Sequence, residues 1–374
     1  MSDKKPKRKQ GNLDSFFSKK SITEFKSVMN PLKKYLETCS SNAMYTSPLI
    51  QNEIINIFGE LIQSEIIKKI SKSNYFSVLA VETTDIAQIE QFSICIRYFE
   101  EELVVLREDF LTFVPVHDVT GLGLATVLLN TLKELGLDLD KLRGQGYDGA
   151  ATMSGNFRGV QAIVKMSYPK ALYTHCVSHS LNLCLSDAAK TQAILNALDR
   201  VNQVKIQLQI LRDNATDEFY KIYEEVNRLG GLINVEENKP YSNLKTAVTF
   251  YQNDLKGYDD IIEVEYQLWQ SKWNSVDSRP LTAIEALHQC DKLMYPNMYE
   301  LLKILSILPV STATAERSFS TLRRLKNYLR NTTSESLLVG LALLSIHRDV
   351  NISDDMALDN FSNSGKARRI KLTI

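Results

Sequence analysis

Hydrophobic positions in this chain keep one period for a stretch and then change it. From Ser47-Pro48 a serine can cap a helix with proline in its first turn. Behind it Ile54, Phe58, Leu61, Ile62, Ile66 and Ile70 recur at three- and four-residue steps, predicting one face of a long helix. Tyr75 to Val81 is continuously apolar, as a strand buried on both faces is. Phe92 to Phe99 and Leu103 to Leu106 follow, with Glu100-Glu101-Glu102 as the turn between them, and Phe110 to Val116 extends the third strand. Thr120 can cap a helix carrying Leu124, Leu128, Leu132 and Leu135, closed by a left-handed Gly136. A short segment Leu142 to Tyr147, a helix Phe157 to Met166, a strand Ala171 to Cys176 and a helix Ser180 to Ala189 complete the order.

Three strands able to pair antiparallel, followed by helix, strand, helix, strand and helix, fit an α/β fold. They predict a five-stranded mixed sheet with helices on both faces, the ribonuclease-H-like arrangement. Residues 190–296 read as mostly helical, broken at Gly230-Gly231 and in the polar loop Glu236 to Pro240. There Tyr266, Trp269 and Trp273 make an aromatic face at helical spacing, and three more helices follow Tyr299.

Composition narrows the class without changing this picture. The 374 residues are 44% apolar and 24% charged, which excludes wholesale disorder and fibrous repeats. No stretch approaches the ~18 apolar residues of a membrane span, and the N-terminus has basic residues without the apolar run of a secretion signal. Cys39, Cys95, Cys176, Cys184 and Cys290 are scattered and suit a reducing compartment, so an intracellular protein is expected.

Charge does change the picture. Lys+Arg 44 balances Asp+Glu 44, but Lys4, Lys5, Lys7, Arg8 and Lys9 crowd into one run. Such a run predicts a nuclear localisation signal or a nucleic-acid-contacting tail, the alternative being a solvated terminus with no reader. Just beyond it Gln10, Leu13, Phe16 and Phe17 can form one turn with an apolar plug. The spacing resembles the peptide by which replication and repair proteins bind the sliding clamp; the alternative is two Phe side chains packing on a neighbouring domain.

A ribonuclease-H-like sheet that cuts or joins nucleic acid holds two divalent cations between carboxylates gathered from distant strand ends. Glu82-Thr83-Thr84-Asp85, with Glu90-Gln91 and Arg97-Tyr98, is similar to the first catalytic block of the hAT transposase superfamily. Gly144-Gln145-Gly146-Tyr147-Asp148-Gly149-Ala150 resembles the second block, and His175 to Leu183 looks like the family's Cys-x-x-His motif. Leu308 to Ser320 is similar to its C-terminal signature. Within the family the chain most resembles the MYM-type zinc-finger and protein-kinase-inhibitor-repressor-like subgroup.

The resemblance implies Asp148 as the second catalytic acid and Glu316 as the third. A helix starting near Thr312 would turn Ala315, Phe319 and Leu322 to the core and leave Glu316, Ser320 and Arg323 on a polar face. At the first acid's position stands Val81, whose isopropyl group cannot ligate a cation. Glu82 points to the opposite strand face and Asp85 lies ~13 Å further on, so neither is expected to substitute. The expectation is an inactive enzyme without cofactor, Mg2+ or Mn2+ being needed only if activity survives. The resemblance makes Cys176 and His179 structural or DNA-positioning residues. A zinc site from His175, Cys176, His179 and Cys184 is disfavoured because strand-to-helix geometry sends several of these side chains to different faces, so no metal site is expected. The Gly144/Gly146 stretch lacks the Gly-Lys-Ser/Thr of a phosphate loop, which excludes an NTPase.

The family carries an N-terminal zinc finger, and before Ser77 this sequence has no Cys/His group with ligand spacing. The family's helical insertion looks shortened here, and Trp269 and Trp273 are read as core rather than as base contacts. Leu337, Leu338, Leu341, Leu343, Leu344 and Ile346 make the last strong helix apolar nearly all round. From the resemblance, Phe319, Leu322, Leu338, Leu341 and Leu344 are expected at a dimer face, with an intrachain core helix as the alternative. Arg323, Arg324, Lys326 and Arg330 form a basic stripe, for phosphate or for solvent.

The expected division is a disordered basic tail 1–24, a helical region 25–74 and a first core part 75–190. A truncated helical insertion 191–296, a dimerisation region 297–350 and a polar tail 351–374 follow. The expected function is a degenerate or domesticated hAT-type transposase, nuclear and dimerising, without strand transfer. Its expected partners are a second copy, nonspecific DNA and a sliding clamp, with no membrane and no small-molecule substrate. The alternatives are an active metal-dependent DNA transposase or nuclease, and a decayed transposon remnant.

Overall fold

The computed structural model describes residues 47–181, 243–256, 259–274, 279–326 and 333–363. The basic run at Lys4 to Lys9, the Gln10 to Phe17 pattern, Cys184 and Arg330 lie outside them. The chain divides into two units, Met1–Ile54 and Ile55–Ile374. The first is described only where helix α1 (Pro48–Lys72) begins, with the Ile50 N–H donating to Ser47 Oγ at 3.3 Å, the serine cap expected.

In the second unit β1 (Phe76–Thr84), β2 (Glu90–Glu100), β3 (Val105–Val116), β4 (Leu142–Tyr147) and β5 (Leu172–His175) form one sheet in the order β3-β2-β1-β4-β5. The pairings of β1 with β2 and β2 with β3 are antiparallel; those of β4 with β1 and β5 are parallel. This is the five-stranded mixed sheet the sequence pattern predicts. Val78, Leu79, Ala80, Phe92, Ile94, Cys95 and Ile96 are wholly buried, because helices cover both faces of the central strands.

On one face α2 (Gly121–Glu134) and α4 (Val160–Ser167) pack together, and Gln145 Nε2 donates to the carbonyls of Gln161 and Ala171. Between β4 and α4 lies the short α3 (Ala151–Ser154); Phe157, expected to open the next helix, is exposed in the turn before it. The chain is described again from α5 (Asn243–Phe250), followed by α6 (Asp259–Asn274), α7 (Ala283–His288), α8 (Pro296–Ile307), α9 (Ala313–Leu325), α10 (Glu335–Ile346) and α11 (Asp354–Asn363). Helices α8 and α9 cover the second face: Arg97 of β2 donates to the Ser306 carbonyl, and Ser93 Oγ meets Ser318 Oγ at 2.7 Å.

Trp269 and Trp273 face inward as sequence reasoning expects. Their rings meet edge-on at 5.3 Å, Trp269 lies 5.2 Å from Tyr295, and both belong to a cluster that includes Tyr75, Phe99, Leu302 and Ile307.

Helix α10 carries part of the expected dimer face into the core. It is apolar all round because it is wedged between β3, α9 and α1. A Cβ on Gly59 would sit 2.6 Å from Gly340 Cα, and one on Gly340 would sit 2.9 Å from the Ile55 carbonyl oxygen, so α1 and α10 cross backbone to backbone. Leu338 and Leu322 are 1% and 2% exposed, while Phe319, Leu341 and Leu344 pack against the same core. Phe319 stacks on Phe113 at 6.4 Å. Leu338 and Leu343 are spent on intrachain packing, while Leu337, Leu341, Leu344 and Ile346 keep part of their surface. Among the described residues no helix is long and apolar enough to cross a membrane.

Candidate functional site

The site forms where the parallel strands β1 and β4 end and the loop leading into α9 crosses them. Glycine makes that crossing possible: a Cβ on Gly146 would sit 2.5 Å from Pro309 Cβ, so only a bare backbone lets Pro309 lie on β4. Two further bonds fasten the crossing. The Cys176 N–H donates to the Tyr147 carbonyl at 3.2 Å and the Val177 N–H to the Val310 carbonyl at 3.1 Å. Thr312, fully buried, then starts α9.

This brings the expected residues together. Glu316, in the first turn of α9, accepts from Thr312 Oγ1 at 2.7 Å. The Thr312 backbone N–H donates to Cys176 Sγ at 3.4 Å. His179 Nδ1 lies 3.6 Å from Glu316 Oε1, and ligand atoms of Cys176, His179 and Glu316 all lie within 4.8 Å of one another. Asp148, just past β4, accepts from the Ala150 N–H at 3.2 Å. His175 is turned elsewhere, its Nδ1 3.0 Å from Tyr173 Oη.

Electrostatics couples the group. Burial pushes the Cys176 thiol up, but the donors of Thr312 and then His179 outweigh it and bring it down to about 7. His179 is raised first by its pairing with Cys176 and then, against burial, by the charges of Cys176, Glu316 and Asp148. Cys176 and His179 thus each favour the charged form of the other.

The first-acid position lies on the same side of the sheet as α9. Val81 pairs with Ser93, whose hydroxyl meets Ser318, and it is 6% exposed within the core. Of the two expected non-substitutes, Asp85 is fully engaged. Its Oδ1 accepts from the Ala87 and Ile89 N–H groups at 2.7 and 3.2 Å, and its Oδ2 accepts from Gln91 Nε2 at 3.0 Å and from Lys326 Nζ. Lys326 is thereby removed from the expected basic stripe: its side chain is 5% exposed because it neutralises a buried carboxylate. Arg323 and Arg324 stay exposed.

Burial raises the Glu82 carboxyl first, and the charges of Asp148 and Glu90 raise it further. Glu82 Oε2 is buried without a hydrogen-bond partner. Magnesium and manganese seek shells of oxygen. Val81 supplies none, both Asp85 oxygens are taken, and Glu316 is flanked by sulfur and nitrogen.

Two relationships escaped sequence reasoning. The approach of Glu316 to the Cys-x-x-His pair depends on the loop crossing over Gly146, and the Asp85–Lys326 pair joins residues 241 positions apart. The only signal for the first was a Cys and a His one helical turn apart directly after a strand; nothing local announced the second.

Comparison with known proteins agrees with this architecture. Residues 15–159 match the family described as "ZMYM1/FAM200, RNase-like domain", and residues 265–350 match the "hAT family C-terminal dimerisation region". The "52 kDa repressor of the inhibitor of the protein kinase" of Homo sapiens is 27% identical over 175 residues, covering 46% of this chain and 23% of that protein. Its Mus musculus counterpart is 28% identical over 174 residues, with the same two shares. The match thus spans less than a quarter of these relatives' length. With two ordered matches falling on a sheet and a helical C-terminal region that share one core, the chain is an hAT-derived protein in which an RNase-like domain is joined to an hAT dimerisation region.

Proposed function

We propose that this protein is a self-associating regulator of the nucleus that has lost the strand-transfer chemistry of the transposases it resembles. One side chain carries the non-catalytic part. Two residues beyond the Leu79–Gly146 pair on each strand stand Val81 and Asp148, an isopropyl group at the level of the second acid. A metal ion there loses an anionic ligand that neither Asp85 nor the solvent replaces in kind. The test is nicking of supercoiled plasmid by the full chain with Mn2+. No nicking above the background of Asp148→Ala is expected. Nicking that vanishes in both Asp148→Ala and Glu316→Ala overturns the reading.

One observation favours an active nuclease as a second reading: the raised Glu82 carboxyl beside Asp148. In that case nicking is also lost in Glu82→Gln.

Self-association rests on the matched region and on a different surface from the leucines of α10. Ile261, Val264 and Leu268 are 54%, 56% and 53% exposed at helical spacing on α6, and Leu268 lies within the 265–350 match. A second copy is the occupant this region calls for. Light scattering on the full chain should give a dimer mass that falls to monomer in Val264→Glu/Leu268→Glu with circular dichroism unchanged. A monomeric parent chain removes the self-association reading. Nuclear residence draws on the run Lys4 to Lys9, and its loss on replacing those residues with alanine is the check.

A further inference from the structure

We infer that Cys176, His179 and Glu316 form a site for a transition-metal ion, Zn2+ by its chemistry, where the family resemblance leads one to expect magnesium. The inference goes beyond the non-catalytic reading and does not depend on it, since the ion can bind whether or not DNA is cut.

Three features point to this ligand. The donor set is one thiol sulfur, one imidazole nitrogen and one carboxylate oxygen, the types zinc takes in three-ligand sites that leave a fourth position to water. Magnesium demands a near-octahedral shell of oxygens and is poorly served by sulfur and nitrogen.

The spacing also fits. His179 Nδ1 and Glu316 Oε1 are 3.6 Å apart, too far for a good hydrogen bond. Two tetrahedral ligands with zinc bonds of about 2.0–2.2 Å stand roughly 3.3–3.5 Å apart, so a closure of a few tenths of an ångström would complete the pair. His179 Nδ1 is meanwhile shut off from solvent without a hydrogen-bond partner of normal geometry, a buried acceptor or donor waiting for a neighbour.

The third feature is the supporting shell. Buried Thr312 holds two of the three ligands at once, its hydroxyl donating to Glu316 Oε1 at 2.7 Å and its backbone N–H to Cys176 Sγ at 3.4 Å. Hydrogen bonds of this kind fix ligand orientation before the ion arrives.

Sequence reasoning disfavoured a zinc site from His175, Cys176, His179 and Cys184, the last of which lies outside the described residues. His175 pairs with Tyr173, and the third donor comes from 137 residues beyond His179, on α9.

The test is titration of the metal-stripped full chain with Co2+ alone, followed by displacement with Zn2+. One equivalent of Co2+ should produce a near-ultraviolet sulfur-to-cobalt absorption together with visible bands of tetrahedral intensity, both erased by Zn2+. Cys176→Ser should abolish the ultraviolet band. His179→Ala, at a half-exposed side chain and so a safe change for folding, should weaken binding by at least the ~10–100-fold that loss of a supporting residue costs. Cys95→Ser, at a thiol buried elsewhere in the core, should leave the spectrum unchanged. Absence of Co2+ binding in the folded parent chain overturns the inference, as does a spectrum and affinity unaltered in both Cys176→Ser and His179→Ala. Plasmid nicking is read separately, so failure of the cobalt titration and failure of the non-catalytic reading are distinguishable.

Discussion

The two ends of helix α9 meet the same sheet in opposite ways. At its C-terminal end Lys326 reaches into the core and meets Asp85, which also collects Gln91 and two backbone N–H groups; every acceptor has its donor and both side chains are closed to water. At its N-terminal end Glu316 has one firm hydrogen bond, His179 Nδ1 has none, and both side chains are about two-fifths exposed. The difference teaches how to tell a structural ion pair from a binding site within one helix. A buried charge whose partners are complete holds the fold together, whereas converging donors left incomplete mark a place for something else.

The sharpest way to break this comparison is at the closed end. Asp85→Ala strands the Lys326 ammonium in the core and should cost ~3–5 kcal/mol in urea unfolding, with Co2+ binding retained in whatever fraction stays folded. A loss below ~1 kcal/mol would put the two ends on the same footing. The pH dependence follows from the same pair. The Asp85 carboxyl is held below its ordinary value because Lys326 and the backbone donors outweigh burial. Its contribution is therefore complete above the unfolded value of ~3.9 and is lost as pH falls through the lower folded value. Thermal melts of the parent chain should show an acid-side fall that Asp85→Asn lacks.

The middle of the helix should give an intermediate effect. Ser318→Ala leaves the Ser93 hydroxyl buried and unpaired, a loss of ~1–3 kcal/mol. At the open end Glu316→Gln should cost about 1 kcal/mol or less, because its hydrogen bond from Thr312 can persist. His179 should leave the smallest mark. Its raised pKa means a contribution present below ~6.5 and lost as pH rises through the folded value, a shallow slope absent in His179→Ala.

The mixed sheet was legible because its strands are long apolar runs that change period at turns, and β1 to β3 lie where Tyr75 to Val116 placed them. The polar face of α9 was legible for the same reason, since Ala315 and Leu322 are buried while Glu316 is not. What stayed hidden depends on which elements touch. Leu338 and Leu343 read as a surplus needing a partner, but periodicity cannot say that β3, α9 and α1 already enclose them. Lys326 read as one charge in a basic stripe, because its stem and head enter the core only at the end of a helix whose partner strand lies far away in sequence. The third donor beside Cys176 and His179 was hidden likewise, since ligand spacing is visible only within one element.

The placement of α9 has a consequence for how the protein is made. Ser93 waits for a partner 225 residues downstream, and Asp85 for one 241 residues downstream. At ~5–20 residues per second on the ribosome, that interval is on the order of tens of seconds. Throughout it the second face of the sheet, with Leu79, Cys95 and Phe113, lacks α9, and the Asp85 carboxylate lacks Lys326. Until the last helices emerge the nascent chain carries an apolar sheet face open to association, and a message cut short before Ala313 yields a sheet covered there by α8 but not by α9.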